Sequence, residues 1–250
     1  MQTIESLARL WDVSLQRRLP GSTCSEVWAG TREGEAVVVK LPRADAEEAK
    51  SLPTLRSFSR WGGVEVLASD EETGACLLPR LGHTIDESDL GDDENTRIFA
   101  HVALALRQSE KVEAPSFEQF AADAFSSNDE VLSEPLRLIS RQVETAKELT
   151  LIHGDLHHFN LLWGDGCYVA IDPKGILTDL ASEVVAWARN PRPERVTPEK
   201  TRRRLEIIAD VWGESYGRLW SWAWAGNVIS LWWEDPKGSF ALADIIRDAK

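Results

Sequence analysis

Two short stretches of this chain carry side chains at spacings that suit phosphoryl transfer. In LIHGDLHHFNLL, His153-Gly154-Asp155 is followed five residues after the aspartate by Asn160. This is the H-x-D-x-x-x-x-N spacing of a loop that orients a hydroxyl for attack on phosphorus. Twelve residues beyond Asn160, the apolar run Val169-Ala170-Ile171 ends in Asp172. Phosphoryl transfer needs a carboxylate near the attacking hydroxyl and oxygen ligands for Mg²⁺ on the phosphates. Asp155 can accept the hydroxyl proton, while Asn160 and Asp172 offer one neutral and one charged oxygen to a hard cation. Taken singly, Asp155 could cap a turn and Asn160 could satisfy a loop backbone. The ordered pair of motifs on β-type flanks favours the catalytic reading. His153 and His157, four apart with Asp155 between them, also raise a zinc site. Such pairs need a helix, and Gly154 after Thr-Leu-Ile argues against one.

Upstream, Lys40 closes the β-branched strand Val37-Val38-Val39, where a lysine that contacts nucleotide phosphates belongs. Its ion-pair partner is expected in the next helix, at Glu48 in preference to Glu47. Gly21-Ser22-Thr23-Cys24-Ser25 lies where a phosphate-covering loop would be. It has one glycine instead of three, yet the backbone N–H groups of Ser22 and Thr23 could still cradle phosphate.

These residues need elements to hold them. Ile4, Leu7 and Leu10 predict a short helix, TREGEA a hairpin and AVVVKL a strand. The segment from Ala44 to Trp61 reads as helix with a kink or a fresh start at Pro53, and VEVLASD and GACLLPRL read as two strands. After Gly82 the pattern turns helical, in NTRIFAHVALALRQ, FEQFAADAF and VLSEPLRLISRQVETAKEL. The catalytic strands follow, and the remainder reads as helix. The expected fold is therefore α+β and two-lobed, with an antiparallel β lobe over residues 1–80 and a larger helical lobe over 81–250. A ligand cleft is expected between the lobes.

The chain has 250 residues and a net charge of −13, which disfavours a nucleic-acid partner. Residues 1–80 carry 10 Lys+Arg against 12 Asp+Glu, and residues 81–250 carry 18 against 29. An acidic lobe could attract a cationic ligand, although solvated faces explain most of the excess. Short tracts such as Asp86–Glu94 are candidates for disorder. No apolar run approaches a membrane span and no secretory signal is visible. Three scattered cysteines point to a reducing cytoplasm. Six of the eleven tryptophans fall between Trp212 and Trp233. Helix packing explains them best, with one or two beside an acceptor pocket as the rarer reading, together with Glu234 or Asp235.

HGDLHHFNLL, AIDPKG and the tail WAWAGNVISLWWEDPKG together resemble the aminoglycoside/hydroxyurea antibiotic-resistance kinases, which include streptomycin 6-phosphotransferases. The likeness extends over nearly the whole chain, through LPGST, VVVKLP and RSFSRWGGVEVLASDEETGACLLPRLG. It implies a protein-kinase-like fold and transfer from ATP (or GTP) with Mg²⁺ to a hydroxyl of a small, cationic acceptor such as streptomycin, by a monomer or weak dimer. It implies Asp155 as base, Asn160 and Asp172 as Mg²⁺ ligands, and Lys40 on the phosphates. Adenine would rest on the Pro79–Leu81 hinge, through the backbone of Arg80 and Leu81. His157 and Lys174 are placed to meet the transferred phosphate. Two departures stand out: Phe159 replaces a small residue, and Glu183 stands where the family tends to have an aspartate. Alternatives are a silent nucleotide-binding protein of this fold and a kinase for a non-antibiotic metabolite.

Overall fold

A computed structural model describes residues 2–20 and 24–250. The N-terminal part is built on one antiparallel sheet. Helix α1 (Ile4–Leu10) starts on a reciprocal cap between Thr3 and Ser6. The strands are β1 (Ser14–Arg18), β2 (Ser25–Arg32), β3 (Glu35–Pro42), β4 (Ala68–Asp70) and β5 (Ala75–Pro79), in the order β1-β2-β3-β5-β4. β2 and β3 turn at Glu33-Gly34, both at positive φ, which suits a two-residue hairpin.

The two-residue period of a strand assigns the faces of this sheet. Val37 and Val39 of β3 and Ala75 and Leu77 of β5 pack with Ile4, Leu7 and Trp11 of the α1 region. Cys76 and Leu78 face the other way, onto Leu52 and Leu55 of α2 (Leu52–Phe58). Lys40, one step from Val39 and opposite Cys76, therefore points to the α2 side. Pro53 sits in the first turn of α2, which starts afresh after a separate single turn at Glu47–Lys50, a position a proline permits. β1 was not anticipated: SLQRR lacks apolar alternation, and its backbone pairing with β2 makes it a strand.

The second part is helical: α3 (Asp92–Leu106), α4 (Phe117–Phe120), α5 (Ala122–Ser126), α6 (Ser133–Glu144), α7 (Val184–Arg189), α8 (Pro198–Trp212), α9 (Tyr216–Glu234) and α10 (Ala241–Arg247). Helix α9 is central; every residue from Leu219 to Ile229 is buried, as expected of a helix apolar all round. FEQFAADAF is two short helices because Ala121 leaves helical geometry. The acidic tract is ordered. Thr84 and Glu87 cap a turn reciprocally, and Asp92 opens α3 and pairs with the buried Arg204 at 2.6 Å.

Between the parts lie β6 (Thr150–Ile152), β7 (Leu161–Gly164), β8 (Cys167–Ala170) and β9 (Ile176–Thr178), the last also unforeseen. The β7–β8 hairpin is gripped on both edges. Val64 N–H donates to Ala170 O and Ala170 N–H to Gly62 O, while Gly82 N–H donates to Trp163 O and Trp163 N–H to His83 O. The connection from α2 to β4 and the segment that leads from β5 into the helical part thus both hold the hairpin on which the candidate site stands. Among the described residues, no helix is long and apolar enough to cross a membrane.

Candidate functional site

The loop from His153 to Asn160 is fixed largely by its backbone. Glu183 lies buried beneath it and accepts the N–H groups of His153 (2.8 Å), Gly154 (3.1 Å) and Leu156 (3.4 Å). Burial pushes the Glu183 carboxyl up to about 7 against the pull of those N–H groups. His153 is fully buried. Its Nδ1 accepts the Asp155 N–H at 3.2 Å, so Nε2 carries the proton and donates to Ile171 O at 2.7 Å. Burial holds its imidazole down at about 4. With both nitrogens engaged, His153 shapes the loop and offers nothing to a metal. The zinc reading thereby loses one of its two histidines.

Asp155 is left half-buried, its side chain turned to the cleft. Asn160 donates from Nδ2 to Asp155 O at 3.0 Å, which leaves its amide oxygen as an acceptor. Ile171 N–H donates to Asn160 O at 3.0 Å, so Asn160 and Asp172 stand at the same end of the β7–β8 pair. Asp172 has φ 58, an uncommon backbone state for a non-glycine residue and one seen at functional sites. The turn that follows is tied back by Lys174 N–H and Gly175 N–H to His153 O at 2.9 and 3.1 Å. Gly175, at φ 75, lies against Thr54 of α2, with no room for a Cβ.

Lys40 connects the sheet to this loop. Its Nζ is 2.7 Å from Asp172 Oδ1 and 3.2 Å from Glu48 Oε2, and Ser25 Oγ donates to the same Glu48 oxygen. Burial, the largest single influence, pulls the Lys40 ammonium down; the charges of Asp172 and Glu48 together outweigh it and hold it above its ordinary value. A charged amine is therefore kept buried beside Asp172 and Glu48. Asn160 and Asp172 fit a hard cation by donor type, one amide and one carboxylate oxygen, the small protein share typical of Mg²⁺ held also by phosphates.

The remaining sequence-predicted residues are spread around this centre. His157 Nε2 is 3.9 Å from Asp155 Oδ1, and its Nδ1 accepts the Phe159 N–H. Burial, chiefly, lowers its imidazole below the ordinary histidine value. Leu81 joins Val66, Val169 and Ile171 as half-buried apolar groups on the α2-side core, an apolar floor beside Lys40. Arg80 gives its N–H to Ala36 O at 3.0 Å, and its side chain is exposed. Lys174 turns the other way, its Nζ 5.5 Å from the centre of the Phe120 ring. Ser22 and Thr23 lie outside the described residues.

Larger cavities exist elsewhere, of about 230 Å³ beside Arg107, Asp179 and Arg218 and about 330 Å³ beside Phe117, Ile139 and Leu149. Neither touches Lys40, Asp155, Asn160 or Asp172. The cavity that does reach Asp155 is smaller, about 50 Å³, and also meets Phe120, Lys174, Arg189 and Trp233. Sequence reasoning missed Arg189, which no local motif marks. It noted Glu183 only as a variation; an acid ahead of Val-Val was the available signal. Glu234, which with Asp235 belonged to the rarer reading of an acceptor pocket, reaches the cavity as the partner of Arg189, at 3.1 Å.

The profile of the aminoglycoside/hydroxyurea antibiotic resistance kinases matches residues 10–238. A streptomycin 3''-kinase of Klebsiella pneumoniae is 29% identical over 219 residues, covering 81% of each chain. A streptomycin 6-kinase of Streptomyces glaucescens is 24% identical over 262 residues, covering 96% of this chain and 84% of that one. Among solved structures, a thermostable mutant of the aminoglycoside phosphotransferase APH(4)-Ia, in ternary complex with AMP-PNP and hygromycin B, superposes with a TM-score of 0.66. It shares 17% identity, with 98% of this chain and 97% of that chain covered. The two-lobed fold is thus that of the protein-kinase-like phosphotransferases, and the chain belongs to the aminoglycoside/hydroxyurea antibiotic resistance kinase family, whose members are small-molecule phosphotransferases.

Proposed function

We propose that this protein transfers the γ-phosphoryl group of ATP to a hydroxyl of a small molecule, with Asp155 as the base. The observation that carries the reading is the convergence of Lys40, Glu48 and Asp172 in one ion-pair network, with Asn160 tied to Asp155 beside it. Lys40 holds the nucleotide phosphates, and the apolar floor around Leu81, Val169 and Ile171 accepts the base. Mg²⁺ held by Asp172 and Asn160 would neutralise charge on the phosphates.

Asp155 orients the acceptor hydroxyl and takes its proton as the oxygen attacks. The new O–P bond forms as the bond between the γ-phosphorus and the β,γ-bridging oxygen breaks, and ADP departs. His157, close to Asp155 and kept neutral by burial, donates a hydrogen bond toward the transferring group. Lys174 stands on the acceptor side of Asp155.

The names of two relatives make streptomycin the first aminoglycoside to test as acceptor. The decisive experiment measures Mg²⁺-dependent ADP release over a panel of hydroxyl compounds, in wild type and Asp155→Ala. Removal of a positioned base is expected to lower turnover by about 10²–10⁴-fold with nucleotide affinity retained. Turnover unchanged in the variant removes Asp155 from its role. Absence of nucleotide binding in the wild type sinks the reading altogether.

A further inference from the structure

The cavity beside Asp155 has an unexpected lining. Phe117, Phe120 and Trp233 supply aromatic walls, and its charged members besides Asp155 are Lys174 and Arg189. Phe120 and Trp233 meet edge to face at 5.6 Å, Lys174 lies over Phe120, and the Trp233 indole N–H is anchored on Asp123. The wall is therefore preset. Arg189, at the end of α7, makes one contact to Glu234, from Nη1 at 3.1 Å. The Glu234 side chain is 64% exposed and that of Arg189 22%, so the pair lies at the rim, where such a pair contributes little. Both cations act on His157, keeping its imidazole low in addition to burial, which places them in the space that Asp155 faces.

Apart from Glu234 on Arg189 at the rim, acids of the helical part are engaged away from this cavity. Asp92 serves Arg204, Asp179 serves Arg218 and Trp222, and Asp129 serves Trp232. Among the described residues, Asp155 is the one carboxylate on the wall. At roughly 10–15 Å³ per water-sized site, this cavity of about 50 Å³ has room for one small ring beside Asp155. A polycation there would set its charges against Lys174 and Arg189.

Resting on the phosphotransferase reading, we propose that the acceptor is a small hydroxyl compound with one flat apolar ring and a carboxylate, and that Arg189 recognises the carboxylate. The ring lies against the wall that Phe120 and Trp233 form, with its hydroxyl toward Asp155. The carboxylate displaces Glu234 and takes the guanidinium fork, the geometry an arginine holds best.

The test uses three probes on one ring that carry a negative, a neutral and a positive group: 4-(hydroxymethyl)benzoate, its amide, and 4-(hydroxymethyl)benzylamine. Their affinities are measured by ligand-observed NMR on the protein loaded with Mg²⁺ and AMP-PNP, with streptomycin as a fourth ligand. The benzoate is expected to bind about tenfold more tightly than the amine, as a charge-assisted contact allows. Arg189→Gln should erase that preference, Arg189→Lys should keep part of it, and Glu234→Gln should strengthen it. The AMP-PNP affinity of each variant reports whether its nucleotide site is intact. The inference falls if the amine or streptomycin binds as tightly as the benzoate, if no probe binds, or if Arg189→Gln leaves the preference in place. Failure to bind AMP-PNP is a different result and overturns the phosphotransferase reading itself.

Discussion

The two sides of Asp155 are built on different principles. The nucleotide side is made of charged groups whose positions are fixed by short-range backbone bonds: Asn160 to Asp155 O, Ile171 to Asn160 O, and Lys174 and Gly175 to His153 O. The acceptor side is made of side chains carried by separate helices, with Phe120 on α4, Arg189 on α7 and Trp233 on α9. In the proposed reading the reaction sits on loops with rigid local geometry. The proposed acceptor selectivity sits on helix packing, which can vary without disturbing the loops.

The comparison breaks if a change on one side is felt equally on the other. The largest effect is expected from Asp172→Ala, which removes a candidate metal ligand and the nearer partner of Lys40. Loss of charge stabilisation on the phosphates should lower kcat/KM on the order of 10³-fold, or about 4 kcal/mol. Binding of a hydroxyl probe on the acceptor side should change by less than about twofold. Equal losses in steady-state turnover and in probe affinity would show that the two sides are one coupled unit.

A second pair of substitutions tests how tightly the loop is held from above. Gly175 and Gly166 have φ of 75 and 84, yet a Cβ on Gly175 overlaps Thr54, while one on Gly166 meets nothing within 4 Å. Gly166→Ala should cost about 1 kcal/mol from backbone strain alone. Gly175→Ala adds overlap with α2 and should cost about 3 kcal/mol, with a matching fall in turnover because the turn carries Asp172. Urea denaturation of both variants reads the difference. Equal costs would mean that α2 yields and does not brace the turn.

Glu183→Gln probes the support from below. Glutamine keeps one acceptor oxygen where the carboxylate offers two to His153, Gly154 and Leu156. The loss should be about 1–3 kcal/mol of stability, with kcat reduced more than the nucleotide KM. An unchanged kcat would mean that Asp155 holds its position without this anchor.

The same contrast decides what the sequence reveals. Asp155, Asn160 and Asp172 are legible because their geometry comes from two windows of a dozen residues each, and Lys40 because alternation along β3 assigns its face. Glu183 acts thirty residues from the loop it supports, and nothing local says that its carboxylate turns inward. Arg189 and Trp233 meet only because α7 packs on α9. In the fold, β1 escapes notice because SLQRR becomes a strand through its partner's hydrogen bonds and not its own pattern. The break in FEQFAADAF falls at the buried Ala121, inside an otherwise helical period that gives no sign of it. The acid content of the helical part was legible as a number and misleading as a location, since its carboxylates hold arginines and tryptophans in place.

The effect expected to be least visible in turnover concerns His158, which lies inside the loop but serves neither side. It is buried flat against Trp187, with ring centres 3.7 Å apart, and neither ring nitrogen has a hydrogen-bond partner among the described residues. Burial first, and then the charge of Arg204, hold its imidazole down at about 2. A histidine whose folded value lies below its unfolded one adds stability that is complete above the unfolded value and is lost as the pH falls through that value toward the folded one. Between about pH 6.5 and pH 5 this loss amounts to about 2 kcal/mol. His158→Phe keeps the stack on Trp187 and removes the titration. Whatever fixed packing cost the larger ring brings, the variant should gain about 2 kcal/mol on wild type between pH 7 and pH 5. Urea denaturation at the two pH values measures it. Glu183, pushed up to about 7, contributes with the opposite sign: its share is complete below its unfolded value near 4.5 and is lost as the pH rises through about 7. His153, held at about 4, loses its share on acidification as His158 does. Both occur equally in wild type and variant, so the difference between the two proteins isolates His158. A difference that stays constant with pH would show that this imidazole takes up its proton in place, and that the floor of the loop is less dry than its packing implies.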